Sequence, residues 1–170
     1  MRACTKGFGF IAALVFLMAA CSSWAMSEAQ EREFRRIARL NPAELTAEAR
    51  ALLEEKYPGE DWLAQNFPGF VYSDESVEVG YMIAVKEPQD LRATFCYCSC
   101  DAFGHDTLLD CFWKDAQVGG DFDDHAAGCS ICTSQAMLAF LWNNLGASDE
   151  EIARGMEKIY EELIRRRTGQ

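Results

Sequence analysis

Phe95-Cys96-Tyr97-Cys98-Ser99-Cys100 places three thiols at every second position. In an extended segment such residues share one face, with neighbours about 6.6 Å apart along the strand. That spacing is too wide for three sulfurs to sit about 2.3 Å from one ion. It also strains a disulfide between neighbours, whose Cβ atoms must approach to about 3.8 Å. The segment must therefore turn, or its thiols must find distant partners.

Those partners lie downstream. Cys111 follows, then His125, Cys129 and Cys132 ahead of an apolar run from Met137 to Leu145. With Asp123 or Asp124 as N-cap, a helix over 124–144 carries His125, Cys129 and Cys132 on one face, at about 100° per residue. Thiols at a helix N-terminus have lowered pKa values and act as thiolates. Gly128 weakens this helix and allows the cysteine run to approach. The helix ends at Gly146, a left-handed C′ residue. Ser148-Asp149-Glu150-Glu151 then caps a last helix to about 166, with its stripe at Ile152, Met156, Ile159, Tyr160 and Leu163. Met137 and Met156 read as core filling, and Arg165-Arg166-Arg167 as a soluble helix end.

Upstream of the cysteine run, Pro88-Gln89-Asp90-Leu91 reads as a helical turn. Val77, Val79, Tyr81 and Ile83 alternate, which predicts a strand over 77–85. Residues 59–76 read as an aromatic loop pinned by Trp62, Phe67, Phe70 and Tyr72. Asn41-Pro42-Ala43-Glu44 opens a helix over 42–56, with Leu45, Ala49, Leu52 and Leu53 facing the core. A further helix is expected over 30–39. The fold expected is mainly α with a small β or extended element: one domain over 32–168, with the cysteine loop docked on the N-terminus of the helix that carries Cys129.

The first 20 residues have a basic start, Arg2 and Lys6, and an apolar run from Phe8 to Ala20. The run is too short to span a membrane and has the form of a secretory signal. Ala19-Ala20-Cys21 reads as a lipobox, with Cys21 lipidated and residues 21–31 as tether; Ser23-Trp24-Ala25 is the competing cleavage site. A lipid anchor on the bacterial envelope, facing the periplasm or the exterior, is the expectation. Of eight cysteines, Cys4 leaves with the signal and Cys21 takes the lipid, which leaves six in an oxidising compartment. Three disulfides are therefore an open alternative. Losing Arg2 and Lys6 takes the net charge from −11 to −13. So acidic a chain argues against a nucleic-acid partner.

Together the motifs Cys96-Tyr97-Cys98-Ser99-Cys100, Gly104-His105, Asp110-Cys111-Phe112, Asp124-His125-Ala126 and Cys129/Cys132 resemble the PCYCGC-motif bacterial proteins, many of them lipoproteins. The resemblance runs over about residues 77–160 and includes Tyr81 and the Pro88 turn. Phe95 and Ser99 stand where the family motif has Pro and Gly, which relaxes a rigid turn. The family is largely uncharacterised; the resemblance implies an envelope location and a cysteine site, and no substrate.

No Gly-x-Ser-x-Gly, P-loop or dinucleotide fingerprint is present. Cys129-Ser130-Ile131-Cys132 has the spacing of thioredoxin-type enzymes without their βαβ setting. The function expected is metal binding without catalysis. Cys96, Cys98, Cys100, Cys111, Cys129 and Cys132, with His125 and His105, are the candidate ligands. Thiolate and imidazole select Cu(I), or next Zn(II), for sequestration or delivery to an envelope partner. A disulfide-stabilised interaction module and a thiol–disulfide oxidoreductase are the alternatives.

Overall fold

The computed structural model describes residues 26–98 and 104–169, with Arg167 and Thr168 as backbone only. The signal, both cleavage sites, Cys21 and Cys100 lie outside the described residues.

Six α-helices carry the domain: α1 Glu28–Ile37, α2 Pro42–Lys56, α3 Glu75–Lys86, α4 Pro88–Arg92, α5 Ser130–Asn144 and α6 Asp149–Thr168. The caps read from sequence are in place. Asn41 and Glu44 form a capping box on α2 with Pro42 in the first turn, and Ser148 and Glu151 form another on α6. Gly146 adopts φ +90° just past α5. Helix α1 begins at Glu28, inside the stretch expected to be tether, because Ser27 and Gln30 make a third capping box.

The strand expected over 77–85 is instead α3. The alternation of Val77, Val79, Tyr81 and Ile83 is real, but the positions between them include Gly80, Met82 and Ala84, which are buried as well. A continuous apolar run fits a fully buried helix as well as a strand. Asp74 decides the matter: its carboxylate accepts the Ser76 N–H, and Glu75 and Glu78 lie in the first turn, where the helix dipole favours them. The β element shrinks to one antiparallel bridge, Trp113 to Phe122, among the described residues.

Helix α5 is the centre. None of its residues from Ile131 to Trp142 is exposed. It packs against α3 and α2 and, at its C-terminal end, against α1 and α6. The Phe34 and Trp142 rings stack at 4.1 Å, and the Trp142 indole N–H donates to the Phe34 carbonyl at 3.1 Å. Met137 and Met156 are core residues, 1% and 0% exposed, as expected. At Gly80 a Cβ would stand 3.1 Å from the Phe112 ring, so its absence lets Phe112 wedge between α3 and Thr133 of α5. That wedge carries Cys111 into the interior.

The short α4 leads into the cysteine run and is fastened to α5 by its buried Asp90. The carboxylate accepts the Asn143 side-chain N–H at 3.0 Å, and the Asp90 carbonyl accepts the Thr94 hydroxyl at 2.8 Å. Burial, reinforced by the nearby Glu87 carboxylate, pushes the Asp90 carboxyl up to about 7. A carboxyl raised in the folded state stabilises fully at low pH, and that contribution is lost as pH climbs from about 4 through about 7. Asp90→Asn keeps the acceptor for Asn143 and removes the charge. It is expected to be the more stable protein above pH 7, by roughly 2–4 kcal/mol, and to flatten the stability slope between pH 4 and 7. Urea titrations at pH 5 and 8 check this; equal gaps at both pH values would show that Asp90 ionises at no cost.

Candidate metal centre

Four sulfurs, from three separate parts of the chain, meet beneath the first turn of α5. Cys132 projects from that turn. Cys111 closes the 3-10 turn Leu108–Cys111, and Cys96 and Cys98 come from the run after α4. All four sulfurs lie within 4.8 Å of one another. Cys96 Sγ stands 3.1 Å from Cys98, 3.5 Å from Cys111 and 3.9 Å from Cys132, and Cys132 is 3.4 Å from Cys98. Sulfurs at about 2.3 Å around a tetrahedral ion are about 3.8 Å apart, so the group already has nearly the required edge lengths. Cys96, Cys111 and Cys132 are at most 1% exposed, while Cys98 is half-buried at the rim. The four-cysteine group could hold a metal ion.

The run reaches this place by turning at Tyr97–Cys98. Gln135, buried in α5, accepts the Tyr97 N–H at 3.2 Å, and the Tyr97 ring stacks on Tyr160 of α6 at 5.7 Å. Gln135 is 0% exposed and its side-chain nitrogen has no partner. A glutamine at the head of the apolar run Ala136–Trp142 was the signal for this latch, and sequence reading passed over it.

Packing these sulfurs together away from solvent limits the negative charge that the free thiols Cys96, Cys111 and Cys132 can carry. Cys96 is the thiolate of the set: hydrogen bonds from Cys111 and then Cys132 pull its pKa far down, against burial. A bond with Cys132 pulls Cys111 down too, but its bond to Cys96, burial and the Cys96 charge carry it up overall. Bonds to Cys111, Cys129 and Cys96 all push Cys132 up. One charge is shared among several sulfurs. A bound cation would release the remaining protons, since the metal ligand is the thiolate.

Cys129 stands beside the group as the N-cap of α5. It is half-buried, and its pKa falls to about 6, chiefly through a hydrogen bond from Cys132 and then the backbone N–H groups of Cys132 and Ile131. The helix-terminus effect expected from sequence therefore acts on Cys129 and not on Cys132.

The helix expected from 124 starts at Ser130. Residues His125–Gly128 form a separate 3-10 turn, and Cys129 is extended at φ −133°, ψ 100°. Asp123 and Asp124 do not cap α5; the Asp123 carboxylate accepts the His125 N–H at 2.8 Å instead. His125, Cys129 and Cys132 thus do not share one helix face. His125 joins His105 and Asp123, whose donor atoms lie within 4.8 Å of one another. The two imidazoles meet edge to face at 5.0 Å, and His105 Nδ1 lies 3.4 Å from Cys111 Sγ. The expected ligands therefore separate into a sulfur group and an imidazole–carboxylate group that touch at His105. Asp123 went unrecognised as a donor because its sequence position reads equally well as a cap.

Cys98 is disulfide-bonded, while Cys96, Cys111, Cys129 and Cys132 are free. A thiol in a disulfide offers no thiolate, so the four-sulfur site is complete only once that bond is reduced. Among the described residues no helix is long and apolar enough to cross a membrane.

No curated protein and no solved structure matches the chain. A family model matches residues 10–168, nearly the whole length, including every residue of both donor groups: the chain belongs to the family of proteins of unknown function with the PCYCGC motif.

Proposed function

We propose that this protein binds a soft metal ion at Cys96, Cys98, Cys111 and Cys132 and holds or hands it on without catalysing a reaction. The convergence of these four sulfurs within 4.8 Å carries the reading. Thiolates select Cu(I) and Zn(II) over Mg, Ca or Mn. Cu(I) is the favoured cargo and Zn(II) the next. A half-buried thiolate at Cys129, next to Cys132, is what ligand exchange with an incoming partner requires, whereas a purely structural zinc site is closed. The protein works at the bacterial envelope after export, anchored by lipid at Cys21, with a metal-transfer protein as its partner and no nucleic acid. The second reading is a disulfide-stabilised interaction module, and the oxidised Cys98 favours it.

Counting thiols and metal on one sample separates the two. The mature domain, isolated without reductant and then reduced under inert gas, is expected to take up Cu(I) only after reduction. Cys132→Ser and Cys98→Ser should each weaken binding by more than about 100-fold, beyond what outer-shell changes cost. A chain with all six thiols oxidised, and no metal bound before or after gentle reduction, would end the metal reading.

Cys129 gives an independent check. In the reduced, metal-free protein it is expected to alkylate fastest of the free thiols with iodoacetamide, at a rate that titrates near pH 6. A midpoint near the ordinary thiol value would remove its role as the exchanging thiolate. For the anchor, mass spectrometry of the mature N-terminus is expected to find a lipid-modified Cys21; a free Met26 terminus would establish ordinary cleavage instead.

A further inference from the structure

The geometry points to a second metal site, made by His105, Asp123 and His125, that takes a borderline divalent cation such as Zn(II) and is distinct from the sulfur site. Three observations carry it.

The first is convergence. His105 comes from one loop and Asp123 and His125 from another short stretch; all three are half-buried, and their donor atoms lie within 4.8 Å of one another. This is unlike an exposed acidic cluster: one carboxylate is faced by two imidazoles, which is the composition of three-ligand zinc sites that keep an open position for water or substrate.

The second is how Asp123 is held. Its N–H donates to the Phe112 carbonyl at 2.9 Å, and its carbonyl accepts the Tyr81 hydroxyl. One carboxylate oxygen accepts the His125 N–H at 2.8 Å, which fixes the side chain and places His125 beside it. The other oxygen is left for an ion. The backbone is thus pinned from α3 and from the Phe112 wedge, so the ligand is positioned before any metal arrives. Preorganisation of this kind removes the ordering cost of binding.

The third is the donor chemistry. Two imidazoles and a carboxylate form a harder set than four thiolates, so the two groups differ in the metals they prefer. They meet at one atom pair, His105 Nδ1 and Cys111 Sγ, 3.4 Å apart. An Nδ1–H donated to the Cys111 thiolate leaves Nε2 with its lone pair for the second ion.

This inference does not rest on the soft-metal reading, and either can fail alone. Co(II) serves as the probe, because thiolate ligation gives an intense charge-transfer band that imidazole–carboxylate ligation lacks. Reduced full-length mature protein is titrated with Co(II) under inert gas, and bound metal is counted by equilibrium dialysis. Two equivalents are expected, one with the band and one without. His125→Gln and Asp123→Asn, both at half-buried positions and the latter keeping the oxygen that accepts the His125 N–H, should abolish the equivalent without the band, or weaken it by about tenfold or more. Both should leave the charge-transfer equivalent intact. Cys132→Ser should do the reverse. A single equivalent in the wild type, carrying the charge-transfer band, would overturn the proposal. So would His125→Gln weakening the charge-transfer band, since that would make the histidines ligands of one mixed site. Loss of the band with retention of the other equivalent would instead overturn only the sulfur reading.

Discussion

Cys132 sits on the first turn of a helix that is covered on every side, and this immobility governs the rest. A helix buried along most of its length cannot shift to meet a ligand without opening cavities against its neighbours, and close-packed interiors resist that. The other sulfurs must come to it. The chain brings them by three devices: the Gln135 latch on the Tyr97 backbone, the Phe112 wedge admitted by Gly80, and the Asp90 tie that fixes where α4 ends. Each is a contact with α3 or α5. The centre is therefore assembled by the core, although most of its residues lie outside regular helices.

The same core supplies the second donor group. Phe112 carries Cys111 on one side, and its carbonyl takes the Asp123 N–H on the other. Tyr81, on α3, packs its ring against Phe112 and gives its hydroxyl to the Asp123 carbonyl. Burial and then the Asp123 charge hold that hydroxyl well above its ordinary range, so it remains a donor across the working pH range. Sulfurs and imidazoles are thus arranged around one aromatic residue, and a shift of that ring would be felt at both.

What could be read in advance follows a physical division. Local rules with stereochemical force were legible: the capping boxes at Asn41 and Ser148, Pro42 in a first turn, Gly146 past the end of α5, and the turn at Pro88. The cysteines and histidines were legible as candidate donors because they cluster by residue type and spacing over 96–132. The state of residues 77–85 was not legible, since apolar residues on consecutive positions erase the difference between a period of 2 and one of 3.6. The break at Cys129 was not legible either. Gly128 signals only weakness, and whether a weak point is bridged or broken depends on what the flanking residues bind. Here Asp123 takes the His125 N–H and starts a separate turn. That one hydrogen bond moved His125 out of the sulfur group, so the sequence shows the donors but not how they are sorted.

The sorting bears on how several buried sulfurs can share one interior. A close-packed set of thiols is stable only while its charge stays low. The metal-free arrangement meets this by concentrating the charge on Cys96 and holding Cys111 and Cys132 protonated. A soft cation meets it by neutralising several thiolates at once. A disulfide meets it by removing two ionisable groups. These are competing solutions for the same atoms, and burial shields some of the sulfurs more than others. Oxidants and partner thiols meet the rim first, and the rim is where Cys98 is half-buried and already oxidised, while Cys96, Cys111 and Cys132 lie at most 1% exposed and free. Cys96, Cys111 and Cys132 are thus buried and free, and the redox state of Cys98 sets whether three or four thiolates are open to an ion that the group could hold.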